Sequence, residues 1–218
     1  DLDKVIIEFK DDATAFNALK KAKFEGKGEL NCLISSKIFE FLIKNNIPTH
    51  YLGLKNNNSM IAQKIKIIPL EVVLRNTAYG SLCKQTTIKP GSVLEQPLID
   101  FYLKNDTLND PLLTKDRINL LRIVNKEELE FISNMTLKIN KLLKRFFYNI
   151  KLDLVDFKLE FGYDSHGDLF LADELSPDNM RLWKKGTKER FDKDLFRKDE
   201  GDIVEAYKYI LQHLRQFV

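Results

Sequence analysis

Apolar and charged residues alternate strictly along residues 155–161, within the segment 154–162. Every second side chain is apolar, and these are Val155, Phe157, Leu159 and Phe161. The side chains between them are charged, and these are Asp156, Lys158 and Glu160. A period of two is that of a β-strand, so the segment predicts a strand whose apolar row faces a core.

A turn at Asp164–Gly167 predicts a hairpin whose second strand carries Asp173. With this four-residue loop, Lys158 lies opposite Asp173 and Glu160 lies diagonal to Asp173 on the same face. Two carboxylates and an amine suit a Mg²⁺ ion and a phosphate chain. Two alternatives stay open: an exposed face held by an ion pair, and a loop of odd length that turns Asp173 to the other face. The acid-rich continuation, residues 173–178, favours a site.

Similar patterns predict the other elements. Strand-like runs cover residues 4–10, 60–68 and 70–75, and helical spacing covers residues 31–45, 126–148 and 202–217. Because strands come first, and helices and hairpins follow without a regular βαβ alternation, the chain predicts an α+β fold.

Composition narrows the function classes. The chain has 218 residues, 44% of them hydrophobic, which is enough for a sizeable core. Its formal net charge is only +3, and Phe146, Phe147 and Tyr148 lie on a predicted helix with core spacing, so we expect no nucleic-acid partner. No apolar run reaches the roughly 18 residues of a membrane span, which predicts no membrane partner.

Neither cysteine nor histidine suggests a reactive centre. Cys32 and Cys83 lie in apolar segments without metal-like spacing, which predicts free thiols in a reducing cytoplasm. The three histidines are scattered along the chain and receive no catalytic role.

A second group of candidates consists of anion-binding side chains. A strand ending at Arg75, followed by the Gly80-Ser81 turn, brings a guanidinium, a hydroxyl and backbone N–H groups together at the start of a helix, where a phosphate binds well. Considered alone, Arg75 is more simply an ordinary surface charge. Arg181 is either a second anion clamp or a surface residue stacked on Trp183.

Two further candidates follow in a polar loop. Lys104 is a candidate phosphate contact and Asp110 a candidate hydrogen-bond acceptor for a substrate. Turn chemistry alone also explains the Asn, Asp and Pro residues of this loop.

Together these segments resemble the SAICAR synthetase (phosphoribosylaminoimidazole-succinocarboxamide synthase) family. Residues 154–162 match one family signature at every position, and residues 69–81 match the other except at Tyr79. The likeness extends over residues 101–111, residues 173–183 and the helix that contains Tyr207.

The resemblance implies an ATP-dependent ligase of de novo purine biosynthesis. Such an enzyme condenses carboxyaminoimidazole ribotide (CAIR) with L-aspartate through an acyl phosphate, and forms SAICAR, ADP and phosphate. It implies a two-domain fold, similar to kinases and ATP-grasp enzymes, with a small N-terminal antiparallel sheet (1–65), a larger mixed domain (66–218) and ATP in the cleft between them. A homodimer is also expected.

The resemblance also assigns roles to single residues. It implies Mg²⁺ ligands at Glu160 and Asp173, and catalytic positions at Lys158 and Asp156, the role of Asp156 staying open. Lys158 and Lys104 are expected beside the nucleotide phosphates, and the backbone of Gln63 and Ile65 at the adenine. The expected ribotide contacts are Arg75, Ser81, Asp110, Asp178 and Arg181.

The chain departs from the family pattern at three places. The family's Gly-Lys-Ala-Lys phosphate-covering hairpin would precede Asp1, Ala18 stands where glycine is common, and Tyr79 replaces a small or aliphatic residue. Two other functions stay open: a different ATP-dependent ligase or phosphotransferase on the same fold, which does not need the ribotide contacts, and a nucleotide-binding protein without catalysis.

Overall fold

The strands of the chain form antiparallel sheets. The computed structural model describes residues 3–15 and 19–214, so Ala18 and the predicted helix end at 215–217 lie outside the described residues. Within the described ranges, the strands form sheets of three, seven and two strands. The α+β prediction is confirmed.

The N-terminal part is a three-stranded sheet in the order β1–β5–β4, with a separate β2–β3 hairpin. Its elements are β1 Lys4–Glu8, β2 Asp12–Ala15, β3 Lys20–Lys23, α1 Lys27–Lys44, β4 Tyr51–Asn56 and β5 Ser59–Gln63. Helix α1 buries Ile34, Ile38 and Leu42, as its spacing predicts. It begins four residues before the predicted start, directly after Gly26, whose positive φ of 81° ends the preceding turn.

The larger sheet has the order β11–β10–β7–β8–β9, and β6 and β12 also pair with β10. Its strands are β6 Lys66–Ile67, β7 Leu70–Thr77, β8 Val93–Leu103, β9 Leu112–Leu113, β10 Leu152–Tyr163, β11 Leu169–Ala172 and β12 Met180–Lys184. The predicted apolar row of β10 is buried, with each of its four side chains at most 1% exposed.

Helices cover the larger sheet and link it to the N-terminal part. They are α2 Ser81–Gln85, α3 Lys115–Leu120, α4 Lys126–Asn149, α5 Asp194–Lys198 and α6 Ile203–Leu214. Helix α4 starts with a capping box between Asn125 and Glu128 and packs on β10 and β7, while α6 packs on α1. The core spacing predicted for Tyr148 is wrong: this side chain is 52% exposed, and Lys185 Nζ lies 3.8 Å from its ring centroid.

The domain boundary predicted between residues 65 and 66 falls between β5 and β6, which belong to different sheets. The division into two domains stays a prediction, because one hydrophobic cluster runs through both parts. None of the described helices combines the length and the apolar character needed to cross a bilayer.

Candidate active site

A cavity of about 530 Å³ lies over the charged face of β10. Eight predicted site residues line it: Arg75, Ser81, Asp110, Asp156, Lys158, Asp173, Asp178 and Arg181. The alternative of an exposed β10 face is wrong, because Asp156 is 3% exposed and Glu160 1% exposed. Carboxylates that deep need partners, and the partners define the site.

Lys158 is the centre of one charge cluster. Its Nζ lies 2.5 Å from Glu160 Oε1, 3.1 Å from Glu71 Oε1 and 3.2 Å from Asp173 Oδ2. Burial would lower the pKa of Lys158, but the three carboxylates raise it above the ordinary value. Lys158 is therefore a fixed positive charge and not a general base.

Glu160 lies between two lysines. Lys104 Nζ contacts its second oxygen, Oε2, at 2.5 Å. Burial would raise the pKa of Glu160, but Lys158 and Lys104 lower it, so the carboxylate stays ionised. Glu160 and Lys104 thus belong to this cluster although neither lines the cavity.

The β10–β11 hairpin differs from its prediction. Tyr163 pairs with Leu169 and Glu160 with Ala172, so the loop has five residues, 164–168, and Lys158 does not pair with Asp173. Asp173 nevertheless reaches Lys158, because it follows the strand with a φ of +60°, which turns its side chain back to the cavity. The predicted register is wrong, and the predicted convergence of side chains is correct.

His50 fixes the backbone at this turn, a role that the sequence analysis did not assign. Its Nε2 lies 3.0 Å from the carbonyl oxygen of Asp173, and since a carbonyl only accepts, Nε2 carries the proton. Burial lowers the pKa of His50 to about 4. The neutral ring therefore holds Asp173 in position at neutral pH.

Arg75 is the centre of a second cluster and is not a surface charge, since it is 3% exposed. Its Nε donates to Asp100 at 2.9 Å and its Nη1 to Asp156 at 3.0 Å. Its Nη2 donates to Ser81 Oγ at 2.8 Å and to Tyr102 at 3.1 Å. The predicted meeting of the guanidinium with the Ser81 hydroxyl is thus present.

Arg181 joins the same cluster. Its Nη1 donates to Asp156 Oδ2 at 2.8 Å, the oxygen that also accepts from Arg75, and its Nε donates to Asp194 at 3.0 Å. The Arg181 guanidinium carbon lies 5.2 Å from the centroid of the Tyr79 ring, so the alternative of a surface residue stacked on Trp183 is wrong. Asp156 therefore holds two guanidinium groups side by side.

Asp178 links the cavity to two distant helices. It accepts from Lys27 Nζ of α1 at 2.8 Å and from the Tyr207 hydroxyl of α6 at 2.7 Å, and Lys193 Nζ lies 3.5 Å away. Burial would raise the pKa of Asp178, but Lys193 and Lys27 lower it. Lys27 is 2% exposed, so this ion pair is shielded from solvent.

Glu174 was not identified from the sequence as a site residue, although it lies inside the acid-rich segment. Burial and the neighbouring Asp178 and Asp173 raise the pKa of Glu174 to about 7. Six polar cavity residues were not predicted as site residues: Glu71, Tyr102, Glu174, Asn179, Lys193 and Arg197. Four of them, Glu71, Tyr102, Glu174 and Asn179, lie within segments that carry the resemblance, whereas Lys193 and Arg197 lie outside those segments.

Three further predicted residues, Gln63, Ile65 and Asp110, contact other parts of the protein. Gln63 Nε2 donates to Asp164 at 3.1 Å, and Ile65 lies against Gly162. Asp110 accepts from the backbone N–H of Asn105 at 2.8 Å.

Comparisons with known proteins agree on one family. A family model described as SAICAR synthetase matches residues 1–214. The chain is 81% identical over 222 residues to a phosphoribosylaminoimidazole-succinocarboxamide synthase of Prochlorococcus marinus subsp. pastoris, covering all of this chain and 92% of the relative.

Two solved structures share the fold. A SAICAR synthetase in complex with ADP is 45% identical with a TM-score of 0.95, over 98% of this chain and 91% of its own. The enzyme of Ehrlichia chaffeensis is 43% identical with a TM-score of 0.96, over 100% of this chain and 93% of its own. With its whole length matched in sequence and structure, the chain belongs to the SAICAR synthetase family.

Proposed function

We propose that the chain catalyses the SAICAR synthetase reaction, in which CAIR, L-aspartate and ATP give SAICAR, ADP and phosphate in de novo purine biosynthesis. One observation carries the proposal. A single cavity has two guanidinium groups and a hydroxyl at one end, and a protonated lysine among carboxylates at the other. This charge pattern suits a phosphorylated substrate at one end and a phosphoryl transfer at the other.

The guanidinium end is assigned to the 5′-phosphate of the ribotide. Arg75 and Arg181 lie on one carboxylate, Asp156, and Ser81 Oγ already accepts from Arg75. Guanidinium groups bind phosphate oxygens through paired N–H donors. Asp110 and Asp178 line the same cavity and are the acceptors expected for the hydroxyl or amino groups of the ribotide.

The lysine end is assigned to the phosphates of ATP, and the strand segment of Gln63 and Ile65 to its adenine. Lys158, whose pKa its carboxylate neighbours raise, provides a positive charge near neutral pH, and Lys104 adds a second ammonium group beside Glu160.

Glu160 and Asp173 suit a Mg²⁺ ion by their chemistry. Both are oxygen donors that approach the same Lys158 ammonium, and Mg²⁺ in phosphoryl-transfer sites binds one or two carboxylates together with phosphate oxygens and water. Within residues 3–15 and 19–214, no cluster of three or more His, Cys, Asp or Glu side chains forms a metal cage. The ion, when bound, neutralises the charge of the transferred phosphoryl group.

The reaction proceeds through an acyl phosphate in this proposal. A carboxylate oxygen of CAIR attacks the γ-phosphorus of ATP, and ADP leaves with the electron pair of the broken P–O bond. The amine of L-aspartate then attacks the acyl carbon, phosphate leaves with the former carboxylate oxygen, and the proton that the amine loses is carried away on the released hydrogen phosphate. Lys158 stabilises the negative charge of the transferred group and accepts no proton, because it is already protonated.

The proposal extends to the assembly and the compartment. We place a homodimer in the reducing cytoplasm, without a nucleic-acid partner. Both cysteines, Cys32 and Cys83, are free, as a reducing compartment requires. Val93 and Leu120 are 81% and 79% exposed, and such apolar side chains suit a surface between two copies.

Substrate omission tests the proposed reaction. The full-length protein receives ATP, Mg²⁺, CAIR and L-aspartate, with each left out in turn, while ADP and the imidazole product are measured. Turnover that needs all four supports the proposal. ADP release that continues at the full steady-state rate without aspartate contradicts it in favour of a phosphotransferase. Nucleotide binding without any turnover contradicts it in favour of a binding protein.

Two substitutions then test the proposed metal ligands. Glu160→Ala and Asp173→Ala should each raise the Mg²⁺ concentration needed for half-maximal activity, while Glu130→Ala on the exposed face of α4 should leave it unchanged. An unchanged Mg²⁺ requirement in both site variants would contradict the assignment.

A further inference from the structure

Tyr79 lies behind the guanidinium end of the cavity and does not line it. The Arg181 guanidinium carbon is 5.2 Å from the centroid of the Tyr79 ring, within the range of a cation–π contact. The edge of Trp183 packs against the same ring at 5.2 Å between centroids and an interplanar angle of 90°. The ring therefore forms a wall that supports Arg181 from the side away from the cavity.

The Tyr79 hydroxyl joins this wall to α5. It accepts from Arg190 Nη2 at 3.0 Å and from Lys198 Nζ. Lys198 is the last residue of α5, and the residue before it, Arg197, lines the cavity. The hydroxyl thus connects the turn after β7 with the helix that brings another cation to the site.

The backbone at the same turn contacts the other guanidinium. The carbonyl oxygen of Tyr79 accepts from Arg75 Nη1 at 3.3 Å. Gly80 follows with a φ of +63°, and a Cβ there would lie 3.1 Å from the Arg181 guanidinium nitrogens. Arg75 and Arg181 therefore both contact one short segment, residues 79–80.

We propose that Tyr79 is a positioning residue for the phosphate end of the ribotide site, where its ring aligns Arg181 and its hydroxyl holds α5 with Arg197. The inference rests on the proposed function, which assigns that end to the ribotide 5′-phosphate. Tyr79 acts through the cations and touches no substrate. Its effect belongs to ribotide binding and leaves ATP and aspartate binding unchanged.

Two Tyr79 variants separate the ring from the hydroxyl. Tyr79→Phe keeps the ring and removes the acceptor for Arg190 and Lys198, and should raise the KM for the ribotide about three- to tenfold with kcat unchanged. Tyr79→Leu removes both contacts and should raise this KM further. The KM values for ATP and L-aspartate should stay constant in both variants.

A double-mutant cycle supplies the decisive test. Lys198→Met on the surface removes one of the two donors to the Tyr79 hydroxyl, so it should raise the ribotide KM by no more than Tyr79→Phe does, and the rise in the double variant should be smaller than the product of the two single rises. Additive effects, or a lower melting temperature with an unchanged ribotide KM, would overturn the proposal and leave Tyr79 a packing residue.

Measurements on the parent enzyme distinguish a wrong inference about Tyr79 from a wrong proposed function. If turnover of the parent enzyme needs the ribotide but the Tyr79 variants keep its KM, the inference about Tyr79 alone is wrong. If the parent enzyme shows no ribotide-dependent turnover, the proposed function is wrong.

Discussion

Asp156 shows how a buried carboxylate organises this site at the scale of single residues. One of its oxygens accepts from both Arg75 and Arg181, at 3.0 and 2.8 Å, in a place where the residue is 3% exposed. Two guanidinium groups this close repel each other unless an anion lies between them. Asp156 therefore keeps the two cations together, and we propose that this is the role that the sequence left open for this position.

The first prediction concerns Arg75. Arg75→Ala removes a donor to the proposed phosphate site and should raise the ribotide KM about ten- to a hundredfold while the KM for ATP stays constant. Arg75→Lys keeps the positive charge but loses the planar guanidinium, so its ribotide KM should lie between those of the parent enzyme and Arg75→Ala. Steady-state kinetics with each substrate varied measures this.

Arg145→Ala on the exposed face of α4 is the matched control and should match the parent enzyme. A change in the KM for ATP alone in Arg75→Ala would contradict the assignment, and would favour a ligase or phosphotransferase that does not bind the ribotide here.

Alternation within one strand made part of the site predictable at this scale. Asp156, Lys158 and Glu160 share a face because a strand repeats every two residues, and no tertiary information is needed. Glu71 and Lys193 reach the same cavity from β7 and from the loop before α5. Glu71 lies within the 69–81 segment, but its place in the strand does not show that it reaches the cavity, and Lys193 lies outside every segment that carries the resemblance, so both were missed.

At the scale of elements, the β10–β11 hairpin shows the limit of turn prediction. The loop gains its fifth residue through Asp164, whose side chain accepts from the backbone N–H groups of His166 and Asp168 at 2.9 Å each. Such a local side-chain bond competes with the tight turn that the Gly167 pattern suggests. Asp173, which follows the strand in a left-handed conformation, then brings its carboxylate back to Lys158. The alternation of the strand does not predict this conformation.

The second prediction concerns the packing of α4 on the sheet. Asn140 of α4 and Asn76 of β7 exchange two amide hydrogen bonds, at 2.8 and 2.9 Å, in a buried layer. Asn140→Leu leaves the Asn76 oxygen without its donor and should lower the free energy of unfolding by about 1–3 kcal/mol. Urea titration measures this loss.

Asn134→Leu, on the exposed face of the same helix, is the matched control and should change the free energy of unfolding by less than about 0.5 kcal/mol. Equal effects of the two substitutions would contradict the role of the buried amide pair.

At the scale of the whole molecule, long-range contacts join the N-terminal sheet and helix α1 to the larger sheet. Thr49 bridges to Leu171 of β11, and Lys27 of α1 pairs with Asp178 across 151 positions of the sequence. Local patterns predict helices and strands, but they do not show which residues far apart in the sequence contact each other. The sequence therefore predicts the α+β class and the individual elements better than the arrangement of those elements.

The third prediction is a pH dependence of stability that comes from His50 at this junction. Its pKa is lowered from 6.5 to about 4 in the folded protein, so between these values the unfolded chain binds a proton that the folded chain does not. The free energy of unfolding should therefore fall as the pH decreases from about 6.5 to 4, by up to about 3 kcal/mol from this group.

His50→Gln tests this contribution, because the amide keeps a donor for the Asp173 carbonyl oxygen and does not titrate. Urea titrations at several pH values should show a smaller decrease between pH 6.5 and 4 for this variant than for the parent protein. Identical slopes in the two proteins would mean that His50 does not stay neutral on folding.

Transfer of oxygen-18 from the ribotide carboxylate tests the central claim most directly. CAIR labelled at both carboxylate oxygens is incubated with the enzyme, ATP, Mg²⁺ and L-aspartate, and the phosphate is analysed by mass spectrometry. An acyl phosphate requires one labelled oxygen in each phosphate released and one in the amide product. Phosphate without label, formed at the rate of ADP, would show that ATP does not activate the carboxylate and would contradict the proposed reaction.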